Sequence, residues 1–282
     1  MPKVSVITVC RNAEADIAAT IASVQAQDYP DIEHVFVDGA STDRTLEIIR
    51  ASRPARVVSE PDAGIYHAMQ KGIGLSTGEV LYFLNSGDVL ADDRVVSDAV
   101  QFFDLTGADA VFGNLLPVAN AHFSHPMYRP GRVIDQGYFA NRQMFFDQCI
   151  HHQTVFYRRA IFTRCGYICD EAAANGEYFL HMCAFVREGF SARHLPRLIA
   201  RFALGGYSTS DFEIEWRRFE AARDILRRRF FQTKPLMMSK SEYLHAPPSF
   251  MNRLKMLSRD PRMRWLFLAV QQLRYGARRY SL

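Results

Sequence analysis

Apolar positions in the first 115 residues fall into two alternating rhythms. In residues 4–9 (Val4-Ser5-Val6-Ile7-Thr8-Val9) the alternation predicts a strand. In residues 14–27, Ile17, Ile21 and Val24 recur at i, i+4 and i+7, which predicts a helix. The rhythms then repeat as strands over 32–37, 56–59 and 80–84 and helices over 43–52, 64–75 and 93–103, with Leu46, Ile48 and Ile49 turned inward in the second helix. This succession predicts an α/β fold, a parallel sheet covered by helices on both faces. In such sheets ligands bind beyond the carboxyl ends of the strands.

From residue 108 to about 206 the pattern becomes mixed α+β. Strands are expected over 110–116 and 154–157 and a helix over 177–187, with Pro126, Pro130 and Gly131 breaking the stretch between. Residues 211–231 read as a charged amphipathic helix that carries Phe212, Trp216, Phe219, Ile225 and Leu226. The N-terminal strand is too short for a secretory segment, and the apolar run 265–270 is far below the roughly 20 residues a spanning helix needs. A chain that is neither exported nor membrane-spanning is expected.

The 282 residues, 48% of them hydrophobic, suffice for one large domain or two small ones. The formal net charge of +4 conceals an asymmetry. Up to His125, 8 Lys and Arg face 17 Asp and Glu; from Pro126 onward the numbers are 26 and 13. An acidic half can hold a divalent cation, and a basic half attracts phosphates, nucleic acid or anionic lipid. No nucleic-acid recognition motif accompanies the basic half. The five cysteines (Cys10, Cys149, Cys165, Cys169, Cys183) are expected as reduced thiols. Cys165, Cys169, His181 and Cys183 form a weak alternative zinc set.

Every early strand ends in polar residues. Cys10-Arg11-Asn12-Ala13-Glu14 follows the first, Asp38-Gly39-Ala40-Ser41-Thr42-Asp43 the second, Glu60-Pro61-Asp62-Ala63-Gly64 the third and Asn85-Ser86-Gly87-Asp88 the fourth. Carboxylates accept from nucleobase and ribose donors, and glycines admit close backbone approach. Ser41-Thr42-Asp43 is equally a helix-capping signal. Together with Ile65-Tyr66-His67-Ala68-Met69-Gln70-Lys71-Gly72, these runs resemble the family 2 glycosyltransferases of bacterial cell-surface polysaccharide synthesis over about residues 3 to 210.

The resemblance implies a GT-A fold, a Rossmann-like, mostly parallel sheet flanked by helices, followed by a helical basic C-terminal extension. It implies a nucleotide-diphosphate sugar donor of UDP or GDP type, a Mg2+ or Mn2+ cofactor and inversion at the anomeric carbon. Residues 1–115 would be the nucleotide-sugar-binding half, 116–210 the acceptor-binding and catalytic-base half of the same domain, and 211–282 the extension. Thr8 and Asp38 would hold nucleobase and ribose, with Arg11, Glu14, Asp62, Lys71 and Asn85 lining the donor pocket. Asp88 would be the metal-binding carboxylate of a DxD-like motif, in which Asn85 and Gly87 leave a single acid.

Inversion needs a general base for the acceptor hydroxyl. The family carries an acidic residue at a helix start, and Asn175-Gly176-Glu177-Tyr178 places Glu177 there, with Asp170 and Glu171 in reserve. His151-His152-Gln153 resembles a pocket wall, with His152 a donor-binding candidate, and Gly205-Gly206-Tyr207-Ser208 a loop near the diphosphate. The acceptor is expected to be a glycan or a lipid-linked intermediate. From Arg253 to Arg279, eight Lys and Arg meet one acid, Asp260, among Trp265, Leu266 and Phe267. This mix suits a segment lying on an anionic membrane, or else a helix packed on protein. The expected location is cytoplasmic, peripheral on the inner face of the plasma membrane. The rival expectation is a non-catalytic nucleotide-sugar-binding or scaffold subunit.

Overall fold

The computed structural model describes residues 1–118, 128–137, 149–167, 176–206 and 217. The basic tail, Asp170, Glu171, Cys169 and Tyr207-Ser208 lie outside the described residues, as does the helix expected over 211–231 apart from residue 217. Eight strands form one sheet: β1 (Val4–Cys10), β2 (Ile32–Asp38), β3 (Arg56–Ser59), β4 (Val80–Phe83), β5 (Val89–Leu90), β6 (Ala110–Val118), β7 (Val155–Arg158) and β8 (Ala192–Ala203). The helices are α1 (Ile17–Gln25), α2 (Thr45–Ala51), α3 (Ile65–Leu75), α4 (Val95–Thr106), α5 (Ala160–Arg164) and α6 (Gly176–His181).

The strand order is β3-β2-β1-β4-β7-β6-β8-β5. The first four strands run parallel, as their alternation with helices requires. β7 then enters antiparallel between β4 and β6, and β8 runs parallel to β6. The carboxyl ends of β1 to β4 therefore share one edge of the sheet.

Helices cover both faces. On one, Ile7, Val9, Val35, Val37, Leu81 and Phe83 pack against Met69 and Ile73 of α3 and Phe179 and Leu180 of α6. On the other, Val4, Val6, Val80 and Tyr82 meet Val95, Ala99, Val100 and Phe103 of α4, while Ile17 and Ile21 of α1 meet Phe36 and Ile49. Each large side chain so buried contributes about 1.5–3 kcal/mol. Gly72 lets α3 lie directly on β1, because a Cβ there would sit 2.5 Å from Ile7 Cγ2.

Two strands escape the sequence pattern. β5 has two residues, and β8 carries Arg193, His194, Pro196, Arg197 and Arg201 in place of an apolar alternation. Its register with β6 shifts between Phe112 and Asn114, opposite the stretch that holds Pro196, a position where a residue lacking a backbone N–H is tolerated. The helix expected over 177–187 is α-helical to His181 and π-helical from Met182 to Arg187.

The cysteine expectation needs correction. Cys165, after α5, and Cys183, in the π-helical turn, are joined as a disulfide with Cα atoms 5.9 Å apart, while Cys10 and Cys149 are free. The zinc alternative has no support in the described residues, because His181 is engaged with Cys149 and Tyr157.

Candidate active site

The loops after β1 and β2 are fastened to each other residue by residue. Asn12, with φ 50°, donates its N–H to Ser41 Oγ at 2.8 Å and accepts Thr42 N–H at 2.9 Å. The Ala13 N–H reaches Thr45 Oγ1 at 2.7 Å. Glu14 N–H donates to Asp43, and the Glu14 carboxylate accepts the Arg44 N–H at 3.0 Å. The Asp16 and Ile17 N–H groups bond back to the Ala13 carbonyl at 3.0 and 2.9 Å, so the turn that begins at Ala13 leads directly into α1. The interlock also gives Glu14 a capping role at the start of α2.

Asp38 ends β2 fully buried. One carboxylate oxygen accepts from Ser41 Oγ; the other takes Ser41 N–H at 3.1 Å and Ser59 Oγ, from the end of β3, at 2.6 Å. A carboxylate has about four lone-pair sites, and the fourth is met only by the weak Cys10 S–H at 3.9 Å, which a stronger donor can displace. Burial, and next the Asp38 charge, push the neighbouring Cys10 thiol up to about 12 and keep it protonated. Above this floor the Arg11 stem lies over Gly39, whose Cβ position would be 3.5 Å from it. The exposed Arg11 guanidinium makes no ion pair or hydrogen bond among the described residues.

Thr8, expected in the nucleobase pocket, is fully buried in β1. Its hydroxyl donates to the Leu84 carbonyl at 2.7 Å and lies 2.9 Å from His34 Nε2, so it ties β1 to β4 and β2. Lys71, on α3, pairs with Asp62 and Glu60, both at 2.6 Å. These partners raise the pKa of Lys71, so it is charged and sits at the end of β3 between two acids.

The turn after β4 is built around Asp88, only 3% exposed. Gly87, at φ 93°, makes the bend, and its N–H together with the Asp88 carbonyl is held by the Thr20 hydroxyl of α1. Asp88 Oδ1 accepts the Ala203 N–H from the end of β8 at 2.9 Å, and the Gln153 side chain also donates to the carboxylate. Burial outweighs these bonds and pushes the carboxyl up to about 7. Three residues earlier, Asn85 Nδ2 is 3.1 Å from His152 Nε2, and Asn85 Oδ1 is buried with no hydrogen-bond partner among the described residues. Burial pushes the His152 imidazole down to about 4, so it is neutral at pH 7.

No group of three His, Cys, Asp or Glu among the described residues forms a cage for a metal. The chemistry of the turn nevertheless suits a hard divalent cation, which takes one or two protein oxygens and completes its shell with waters and phosphate oxygens. Asp88 and the unpartnered Asn85 Oδ1 are such oxygens.

Glu177 lies in the first turn of α6, half-buried, and accepts a hydrogen bond from Tyr66 in the first turn of α3. Burial raises its pKa above the usual carboxylate range, against the pull of Tyr66. Behind it, His181 lies between Cys149 Sγ (3.3 Å) and Tyr157 Oη (2.7 Å). Burial lowers the imidazole to about 3 and raises the thiol, so this pair carries no thiolate.

The parallel topology thus gathers Arg11, Asp38, Asp62, Lys71, Asn85 and Asp88 at one sheet edge. Gln153 belongs to the His151-His152-Gln153 stretch that the sequence offers as a pocket wall, whereas Ser41, Ser59 and Tyr66 are not candidate site residues in the sequence. The Ser41 pattern was legible as a cap; the partners of the others come from distant segments and leave no local trace.

This is the architecture of a GT-A glycosyltransferase. TarS (residues 1–349) of S. aureus in complex with UDP-GlcNAc superposes with a TM-score of 0.60 at 17% identity, covering 91% of this chain and 80% of that one. The mannosyltransferase PcManGT of Pyrobaculum calidifontis, in complex with GDP-Man and Mn2+, gives 0.59 at 20% identity over 78% of this chain and 64% of that one. A PGL/p-HBAD biosynthesis glycosyltransferase of Mycobacterium bovis is 28% identical over 222 residues, 76% of this chain and 82% of that protein. Residues 5–164 match glycosyl transferase family 2, and the chain belongs to that family.

Proposed function

We propose that this glycosyltransferase moves a sugar, with inversion, from a nucleotide-diphosphate donor of UDP or GDP type to a hydroxyl of a glycan or lipid-linked acceptor in surface-glycan synthesis. The observation that carries the reading is that the parallel strands bring the polar loops after β1, β2, β3 and β4 to one sheet edge, where Asp88 is buried. UDP-GlcNAc and GDP-Man in the two similar structures support a nucleotide-sugar donor.

In this reading Asp38, oriented by Ser41 and Ser59, accepts from the nucleoside, and the unpaired Arg11 guanidinium meets the donor's negative charge. Asp62 and Lys71 wall the same pocket, while Glu14 and Thr8 brace the loops that form it. Asp88 and Asn85 would hold Mg2+ or Mn2+, which when bound supplies neutralising charge for the departing diphosphate. Glu177 takes the proton from the acceptor hydroxyl. A carboxyl whose pKa is raised by burial is a better match to that task than an exposed one. Residues 1–115 serve the donor and 116–210 the acceptor and base.

No helix among the described residues is long and apolar enough to cross a membrane. The basic segment after Pro247 is proposed to bring the enzyme to the anionic inner face of the plasma membrane. Flotation with anionic liposomes, compared between the full chain and one ending at Pro247, tests this, and equal flotation overturns it. The function itself is tested by incubating the full chain with UDP- and GDP-sugars, Mn2+ and a membrane extract, beside Asp88→Ala. The expected result is nucleoside diphosphate release that Asp88→Ala abolishes. Nucleotide binding without hydrolysis or transfer would establish the scaffold reading instead.

A further inference from the structure

Two successive side chains of one 3-10 turn, His152–Thr154, reach the two ends of the Asn85–Asp88 turn. Gln153 donates to the Asp88 carboxylate, and His152 Nε2 meets Asn85 Nδ2 at 3.1 Å. The two bends are themselves rigid. The Asp88 N–H closes on the Asn85 carbonyl at 3.1 Å, and Tyr82 Oη donates to the Gln153 carbonyl at 2.6 Å.

An amide differs from a carboxylate in having one wrong face. Asn85 can present a hard oxygen to a cation only if its NH2 group is held elsewhere; turned over, it presents two N–H donors that repel a cation. His152 Nε2, 3.1 Å from Asn85 Nδ2, captures the NH2 side when it accepts from that group. Such a bond leaves Asn85 Oδ1 on the opposite side, where it is buried and without a hydrogen-bond partner among the described residues.

We propose that His152 is a positioning residue: it fixes the Asn85 amide with Oδ1 toward the divalent cation, so that Asn85 is the second protein oxygen beside Asp88. The inference rests on the metal-dependent reading given above. It explains how a turn with a single acid presents two oriented oxygens. It also sets a condition: the positioning by His152 matters only while residue 85 is an amide, because both terminal atoms of a carboxylate are oxygens.

The test is a double-mutant cycle on the full chain, read by electron paramagnetic resonance of free Mn2+ in saturating UDP and, separately, GDP. His152→Ala is expected to weaken Mn2+ binding about tenfold or more, the usual effect of removing a group that orients a metal ligand. Asn85→Asp is expected to bind at least as tightly as the wild type, and Asn85→Asp/His152→Ala to match Asn85→Asp. Equal weakening by His152→Ala in both backgrounds, or none in either, overturns the positioning role. Weaker binding by Asn85→Asp than by the wild type shows that the amide faces the site through its nitrogen and overturns it too. Failure of the wild type to bind Mn2+ with either nucleotide removes the metal reading itself, an outcome distinct from the others.

Discussion

Tyr66 donates its hydroxyl proton to the Glu177 carboxylate, joining the first turn of α3 to the first turn of α6 across 111 residues. Tyr66 follows directly on the Asp62-Ala63-Gly64-Ile65 stretch at the end of β3, and Glu177 is the proposed base. The bond therefore couples the donor side of the fold to the residue that would act on the acceptor.

Its removal has a predictable sign. Burial raises the Glu177 pKa and the Tyr66 hydrogen bond lowers it, so Tyr66→Phe raises it further. A base works ionised, so activity is lost as pH falls through its pKa. The acid limb of kcat/KM is expected above the ordinary Glu range in the wild type, and at still higher pH in Tyr66→Phe. Superimposable profiles would remove the coupling.

Glu33 offers a stability test away from the site. Its carboxylate accepts from Ser5 Oγ and Thr77 N–H, both at 2.5 Å, from Thr77 Oγ1 at 2.9 Å and from the Gly78 N–H at 3.0 Å. Burial pushes its pKa up, but these bonds together bring it down to about 2. The stabilisation is present above the unfolded pKa of about 4.3 and is lost as pH falls towards 2. Glu33→Gln is expected to cost about 2 kcal/mol at pH 7, after allowance for solvent screening, and clearly less at pH 3. Urea unfolding at both pH values checks this; an unchanged difference would contradict it.

Ala40 holds φ 55° in the loop that carries Asp38 and Ser41. For an L-residue this region costs about 1–2 kcal/mol, and for a β-branched one more. Ala40→Gly is expected to leave stability within about 1 kcal/mol, since relieved strain and lost unfolded-state restriction offset each other. Ala40→Val is expected to lower the melting temperature and weaken UDP or GDP binding. Thermal shift with and without nucleotide reads both, and a fully tolerated valine would contradict the strained geometry.

Gly72 fixes how closely α3 approaches β1. A methyl group there meets Ile7 Cγ2 at 2.5 Å, so Gly72→Ala is expected to destabilise by about 1–3 kcal/mol despite alanine's better helix propensity. Chemical denaturation measures this, and a stabilised variant would show that the contact yields freely.

The half of the fold that the sequence discloses is the half whose elements carry their own periodicity. Ile17, Ile21 and Val24 mark α1, and the apolar run of β4 stands out alone. β8 stays hidden because its arginines are answered by distant groups, as when Arg197 takes Asp92 at 2.6 Å and reaches Asp98. In the site, the strand-end acids are legible as motifs, but what holds them is not. Ser59 on Asp38, Ala203 N–H on Asp88 and Tyr66 on Glu177 are contacts made only by the assembled sheet. Thr8 and Glu14 carry structural contacts that the sequence does not disclose, Thr8 tying β1 to β2 and to Leu84, and Glu14 capping the start of α2. The Cys165–Cys183 pair likewise depends on the packing of α5 against the π-helical turn.

The central claim is that this chain transfers a sugar with inversion and that Glu177 takes the acceptor proton. The most direct measurement is turnover of an identified donor and acceptor by wild type and Glu177→Gln, with the anomeric configuration of the product assigned by NMR. An inverted product, a loss of about 10²–10⁴-fold in kcat for Glu177→Gln and unchanged donor affinity are predicted. A retained configuration, or full transfer by Glu177→Gln, would contradict the account.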